Sequence, residues 1–392
     1  MPAKQSKRER ILFFLAAVMI PVLLMIIFTR LFYDQIKYPD FYKSDISAHI
    51  KIAAQGRGYS FLYGALGLII HASGGRYQSI IIAAFEGLMT VLTVYPMAAW
   101  MVKRFHIQKW TAYLAAAGLL FCSSIYLPVL QPLFYKSGIV TQPWHNITYM
   151  GMRLFAIMTM CGFSDVLDRY QEKISVKDWL KIAIPLAVST GIKPVFLLAF
   201  SWALLLFLII DAIRGKFRGR VLIQCVKLGT TVFPSLILLY IQSRILYGSG
   251  SSGIRFSLTA STFFANGFSW TLIKLLRALL LAVIVMLYNR SDQRKATGFV
   301  YVLYLVALFQ VIMFSETGPR ENHGNFYWIL YICGFILYGH VIANWIKNIK
   351  ENNWQTTKDK WYGTVTSVLT LAHLISGIAY FVMINLYGKY SL

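Results

Sequence analysis

Asp45 and His49 lie four residues apart in Lys43-Ser44-Asp45-Ile46-Ser47-Ala48-His49, so on a helix they share one face. A carboxylate beside an imidazole can take a proton from a hydroxyl group, which makes Asp45 a candidate base and His49 its helper, and the same pair also reads as an ordinary ion pair on a solvated helix. Asp40, five residues earlier, is the second candidate. A second group is Gln142-Pro143-Trp144-His145-Asn146-Ile147-Thr148. A flat aromatic with an imidazole and an amide beside it suits a sugar ring, and the same residues also read as an interfacial Trp anchor with Asn146 as a helix N-cap. A third group runs from Glu316 to Asn325 and holds Glu316, Arg320, Glu321 and His323, more ionisable chemistry than a turn needs. Arg153, Lys193, Lys274 and Arg277 fall within or beside apolar runs, as does Glu86. Cations at that depth are costly unless used, and together with Arg320 they could hold a phosphate. No cofactor motif is present; Asp45, His49, His145, Glu321 and His323 are the residues that could share a divalent cation.

The elements that position these residues are membrane helices. Hydrophobic residues make up 57% of the 392-residue chain and charged residues only 14%, against about 25% in a soluble domain. Cys122, Cys161, Cys225 and Cys333 stand singly in apolar stretches, with no metal or redox spacing. The net charge of +23 does not point to nucleic acid, because the basic residues sit in short loops between apolar runs. Spans of roughly 20 apolar residues, oriented with Lys and Arg inside, predict an all-α polytopic bundle of about eleven membrane segments. The N-terminus is then cytoplasmic and residues 1–392 form one integral membrane domain. The first extracytoplasmic loop covers residues 34–76, with an interfacial helix at Tyr59–Ile70. The third span is expected at Trp110–Leu130. Ile182–Gly191 and Val195–Ile213 form a hairpin broken at Lys193-Pro194. This topology, which uses cation bias alone, puts all three polar groups on the outer face.

The order of helix one, a long polar loop with Asp45, a short interfacial helix and helix two resembles the GT-C superfamily of membrane glycosyltransferases. That resemblance implies a polyprenyl-phosphate-linked sugar as donor, with Asp45 deprotonating an acceptor hydroxyl. Arg320, Lys193, Arg153, Lys274 and Arg277 would hold the donor phosphate. Trp144, His145, Asn146, Glu316, Glu321, His323 and Asn325 would line the sugar and acceptor site. The expected partners are the lipid-linked donor and membrane lipids. The expected location is a bacterial plasma membrane, with the site facing outside and serving cell-envelope polysaccharide. Two other functions fit the same pattern: a transporter or flippase, motivated by the broken hairpin and Glu86, and a polysaccharide polymerase or ligase.

Overall fold

The computed structural model describes residues 6–42, 44–56, 58–127, 143–247, 253–256, 268–289, 295–318, 325–351 and 354–388. Among the described residues eight helices are long and apolar enough to cross a membrane: α1 (Lys7–Lys37), α5 (Gln78–Phe105), α7 (Ile147–Leu167), α9 (Val195–Arg214), α10 (Gly219–Ile245), α12 (Lys295–Met313), α13 (Tyr327–Glu351) and α14 (Thr357–Tyr387). The chain is an integral membrane protein built as an all-α bundle. Between α1 and α5 lie α2 (Pro39–Tyr42), α3 (Ile46–Ala54) and the short apolar α4 (Phe61–Ala72). The other described helices are α6 (Lys109–Leu119), α8 (Val176–Ile192) and α11 (Phe268–Tyr288). Strands β1 (Gly253–Phe256) and β2 (Phe314–Thr317) pair antiparallel, with Ile254 opposite Glu316.

α6, α8 and α11 are expected segments outside the set of eight. α6 stops at Leu119 rather than Leu130. Beyond it the chain passes over the small face of α14, where a Cβ added at Gly377 would overlap the Phe121 carbonyl. The Ser123 amide donates to the His373 carbonyl and the Ser123 carbonyl contacts His373 Nδ1, so the unwound backbone is satisfied by α14. α8 begins at a Ser175–Asp178 capping box, six residues before the expected Ile182, so its first turns carry Lys177, Asp178 and Lys181. Helix one also outruns its expected end. Asp34 falls in its last turns, paired with Arg30 at 2.7 Å, not in the loop that follows.

The polar residues sort to two ends of the bundle. At one end Lys103 pairs with Asp165, Arg104 with Asp168, Arg169 with Asp178 and Lys295 with Asp211. Gln108 there donates to Glu9, in the first turn of α1. At the far end of α1, about 45 Å away for 31 residues at 1.5 Å each, Gln35 donates to the Trp144 carbonyl. Asp45, Asn146, Lys193 and Glu316 all lie at this second end.

Candidate functional site

Three helix termini build the site, each for a local reason. Asp45 is the N-cap of α3, yet its side chain makes no capping bond. Ser44 Oγ takes the Ile46 amide instead, at 3.3 Å, which leaves the carboxylate free to turn elsewhere. Asn146 is the N-cap of α7 and does cap, its Oδ1 accepting the Tyr149 amide at 2.9 Å. Lys193 follows the last residue of α8 and precedes Pro194. The proline excludes helical backbone at residue 193, which is extended at φ −155°.

The break leaves the last carbonyls of α8 without helical donors. Ser60 Oγ donates to Ile192, and Gln242 Nε2 donates to Thr190 and Gly191, at 2.7 to 3.0 Å. Phe61 packs on Gly191, where a Cβ would lie 2.1 Å from the ring. α4 and α10 therefore fix the break and fix where Lys193 points.

Asn146 connects the groups. Its Nδ2 donates to Asp45 Oδ2 at 2.8 Å. Its Oδ1 accepts from Lys193 Nζ at 3.1 Å and from Thr148 Oγ1 at 2.8 Å. Lys193 Nζ also donates to Thr148 Oγ1 at 3.2 Å and lies 4.4 Å from the centre of the Trp328 ring. His49 Nε2 approaches Asp45 Oδ2 at 3.4 Å, and its Nδ1 shares a proton with the Tyr63 hydroxyl at 2.7 Å. Asp45 Oδ1 is buried, and among the described residues it has no hydrogen-bond partner. One carboxylate oxygen is held by two donors, and the other meets none of the described donors.

Burial alone would raise the Asp45 pKa. The hydrogen bond from His49, the neighbouring imidazoles and the Lys193 ammonium outweigh it and hold the carboxyl below its ordinary value. Burial pulls Lys193 down to about 8, opposed by Asp45 and Glu316. Burial also pulls His145 down to about 4, so that imidazole is neutral at pH 7.

Lys193 forms one wall of a cavity of about 450 Å³. Glu316, Asn325 and Gln242 complete its polar end, with Asn325 donating to Glu316 at 2.6 Å. Leu198, Leu236, Leu239 and Ile329 line the rest. Leu236 and Tyr240 on α10 are exposed, so the mouth opens on the lipid-facing side of the bundle. Asp45 does not line this cavity; it joins it through Asn146 and Lys193.

The structure therefore brings together Asp45, His49, His145, Asn146, Lys193, Glu316 and Asn325. It separates others. Trp144 is fully buried, stacked on Phe28 at 4.8 Å among Phe121 and Phe381, and presents no face to a sugar. Asn146 uses its carbonyl oxygen and one amide hydrogen on its neighbours, so it holds the site together and offers little to a ligand. Asp40 is exposed on α2. Arg153, two turns into α7, is fully buried between the Thr90 carbonyl and the Phe335 ring and does not line the cavity. Lys274 and Arg277 belong to α11, which packs on α13 and α14. Arg320, Glu321 and His323 lie outside the described residues. Among the described residues no group of three or more His, Cys, Asp or Glu is placed to hold a metal ion.

Nothing in the sequence pattern distinguishes Tyr63, Trp328, Ser60 or Gln242. Only the Pro after Lys193 signalled that carbonyl caps such as Ser60 and Gln242 must exist somewhere. No known family's sequence profile matches the chain, and no curated protein does.

Proposed function

We propose that the chain is a membrane glycosyltransferase of GT-C type, which moves a sugar from a lipid-phosphate donor to an acceptor hydroxyl at the Asp45 end of the bundle. The observation that carries this reading is the Asp45–Asn146–Lys193 array. Among the described residues it holds an ionised carboxylate with one oxygen unpartnered and an ammonium with a third N–H unpartnered, the ammonium lining a cavity that opens toward lipid and the carboxylate joined to it through Asn146.

In the proposed step the acceptor oxygen bonds to the anomeric carbon as the bond from that carbon to the phosphate oxygen breaks. The acceptor proton passes to Asp45 Oδ1, and the departing electron pair stays on the lipid phosphate. Lys193 stabilises that growing negative charge with its third N–H. His49, held by Tyr63, keeps Asp45 ionised and oriented. The apolar walls of α9 and α10 suit a hydrocarbon chain. The pairing of Lys and Arg at the opposite end supports an extracytoplasmic site, since cations favour the inner face.

The α8–α9 break also favours a second reading, a transporter, because discontinuous helices form substrate sites at membrane depth. Proteoliposomes given a lipid-phosphate donor with a labelled sugar separate the two. Transfer yields label covalently bound to acceptor. Label that crosses the bilayer on unchanged donor would overturn the transferase reading.

A further inference from the structure

At the cation-rich end a second, larger cavity lies between α6, α13 and α14, with a volume of about 840 Å³. It runs beside the whole of α6, whose 11 residues are flanked by the longer α13 and α14, of 25 and 31 residues. The groove extends from Gln108 along α6 to Cys122, and the helical part, Lys109–Leu119, alone spans about 16 Å at 1.5 Å per residue. One leaflet of a hydrocarbon core of about 30 Å has a similar depth.

Its walls are apolar in effect. Leu114 and Leu371 are exposed within it, and two of its polar side chains are already engaged: the Trp345 indole donates to Ser367, and Thr370 donates to the Thr366 carbonyl. Its rim is cationic. Lys347 and Lys350 stand one turn apart on α13, and among the described residues Glu351 pairs with Lys347 alone, at a loose 3.8 Å. An apolar slot one leaflet deep beneath two lysines matches a two-part ligand, with acyl chains below and an anionic headgroup above.

We propose that this groove binds an anionic phospholipid of the bilayer, its acyl chains along Leu114, Gly118 and Leu371 and its phosphate on Lys347 and Lys350. The site is distinct from the Asp45 array and independent of the glycosyltransferase reading.

Gly118 offers a clean test, because a Cβ built there meets nothing within 4 Å. Gly118→Leu sends its side chain into the slot from an unobstructed Cβ. Exposed Gly298, equally open but on α12, gives the matched control Gly298→Leu. Full-length protein would be reconstituted in bilayer discs of phosphatidylcholine and phosphatidylglycerol, and its retained lipid read by native mass spectrometry. Wild type and Gly298→Leu should keep phosphatidylglycerol in preference to phosphatidylcholine. Gly118→Leu should keep neither in the slot. Lys347→Gln with Lys350→Gln should lose the preference by about fivefold for each lysine, roughly 25-fold together. Equal retention of the two lipids, or unchanged retention in Gly118→Leu, overturns the proposal. So does a wild-type dimer that retains no lipid and that Gly118→Leu dissociates, because the groove would then be a helix-packing surface.

Discussion

The ion pairs of the cation-rich end and the Asp45–Lys193 array at the other end treat charge differently, although Arg30 and Asp34 pair directly at that other end too. At the cation-rich end Asp165, Asp168, Asp178 and Asp211 each meet a Lys or Arg directly, at 2.6 to 2.7 Å. At the other end Asp45 and Lys193 are near enough to influence each other yet are bridged by an amide, with Asn146 donating to one and accepting from the other. Direct pairing spends both charges on cohesion and fastens loops. Bridging keeps both charges unneutralised and fixes the separation between them. Placing an opposed pair behind a neutral spacer is costly for stability, and the arrangement makes sense where each charge has something else to meet.

The largest expected effect is at Lys193. Lys193→Met should lower kcat/KM for a lipid-phosphate donor by about 10²–10³-fold, since it removes the cation at the departing phosphate. In the wild type the ammonium is charged below its pKa of about 8 and neutral above it. Donor affinity should therefore hold up to about pH 8 and decline beyond, and Lys193→Arg should remove that alkaline decline. A donor affinity flat from pH 7 to 10 would mean that Lys193 holds no phosphate.

Asn146→Asp sharpens the comparison, because it turns the spacer into a second carboxylate. Like charges disfavour ionisation, so the acid limb of the pH–rate profile should move up by about one pH unit or more. An unmoved limb would show that Asp45 is not the titrating group. Tyr63→Phe, which frees His49 Nδ1 of a 2.7 Å hydrogen bond, should cost only about two- to tenfold in rate. At the other end Asp211→Ala should leave the rate per folded molecule unchanged. It should lower stability in a denaturant melt by about 2–3 kcal/mol, because Lys295, Tyr170 and Gln171 all lose their acceptor.

Much of this division is legible in the sequence. Hydropathy marks the spans, and cation bias assigns Lys103, Arg169 and Lys295 to one end and Asp45, Asn146 and Glu316 to the other; the ion pairs gather the first set and the Asn146 hydrogen bonds much of the second. Lys193 is legible because Pro194 must break the helix. Burial was harder to read. Trp144 stands beside His145 in sequence, but a residue just ahead of a helix N-cap can point into the core, and Phe28, 116 residues earlier, supplies the ring that receives it. Lys274 and Arg277 ride on α11, which packs on α13 and α14, and nothing local says which neighbours α11 will choose. Gln242 is an ordinary polar residue within α10 until the three carbonyls it caps are seen together.

The most direct test sets Asp45→Asn beside Asp211→Asn, two isosteric changes at opposite ends of the molecule, with product formation measured per folded molecule from the same lipid-phosphate donor. Asp45→Asn should abolish covalent transfer at wild-type stability, while Asp211→Asn should transfer at the wild-type rate at reduced stability. Full transfer by Asp45→Asn, or equal losses in both variants, would contradict the assignment of chemistry to one end and cohesion to the other.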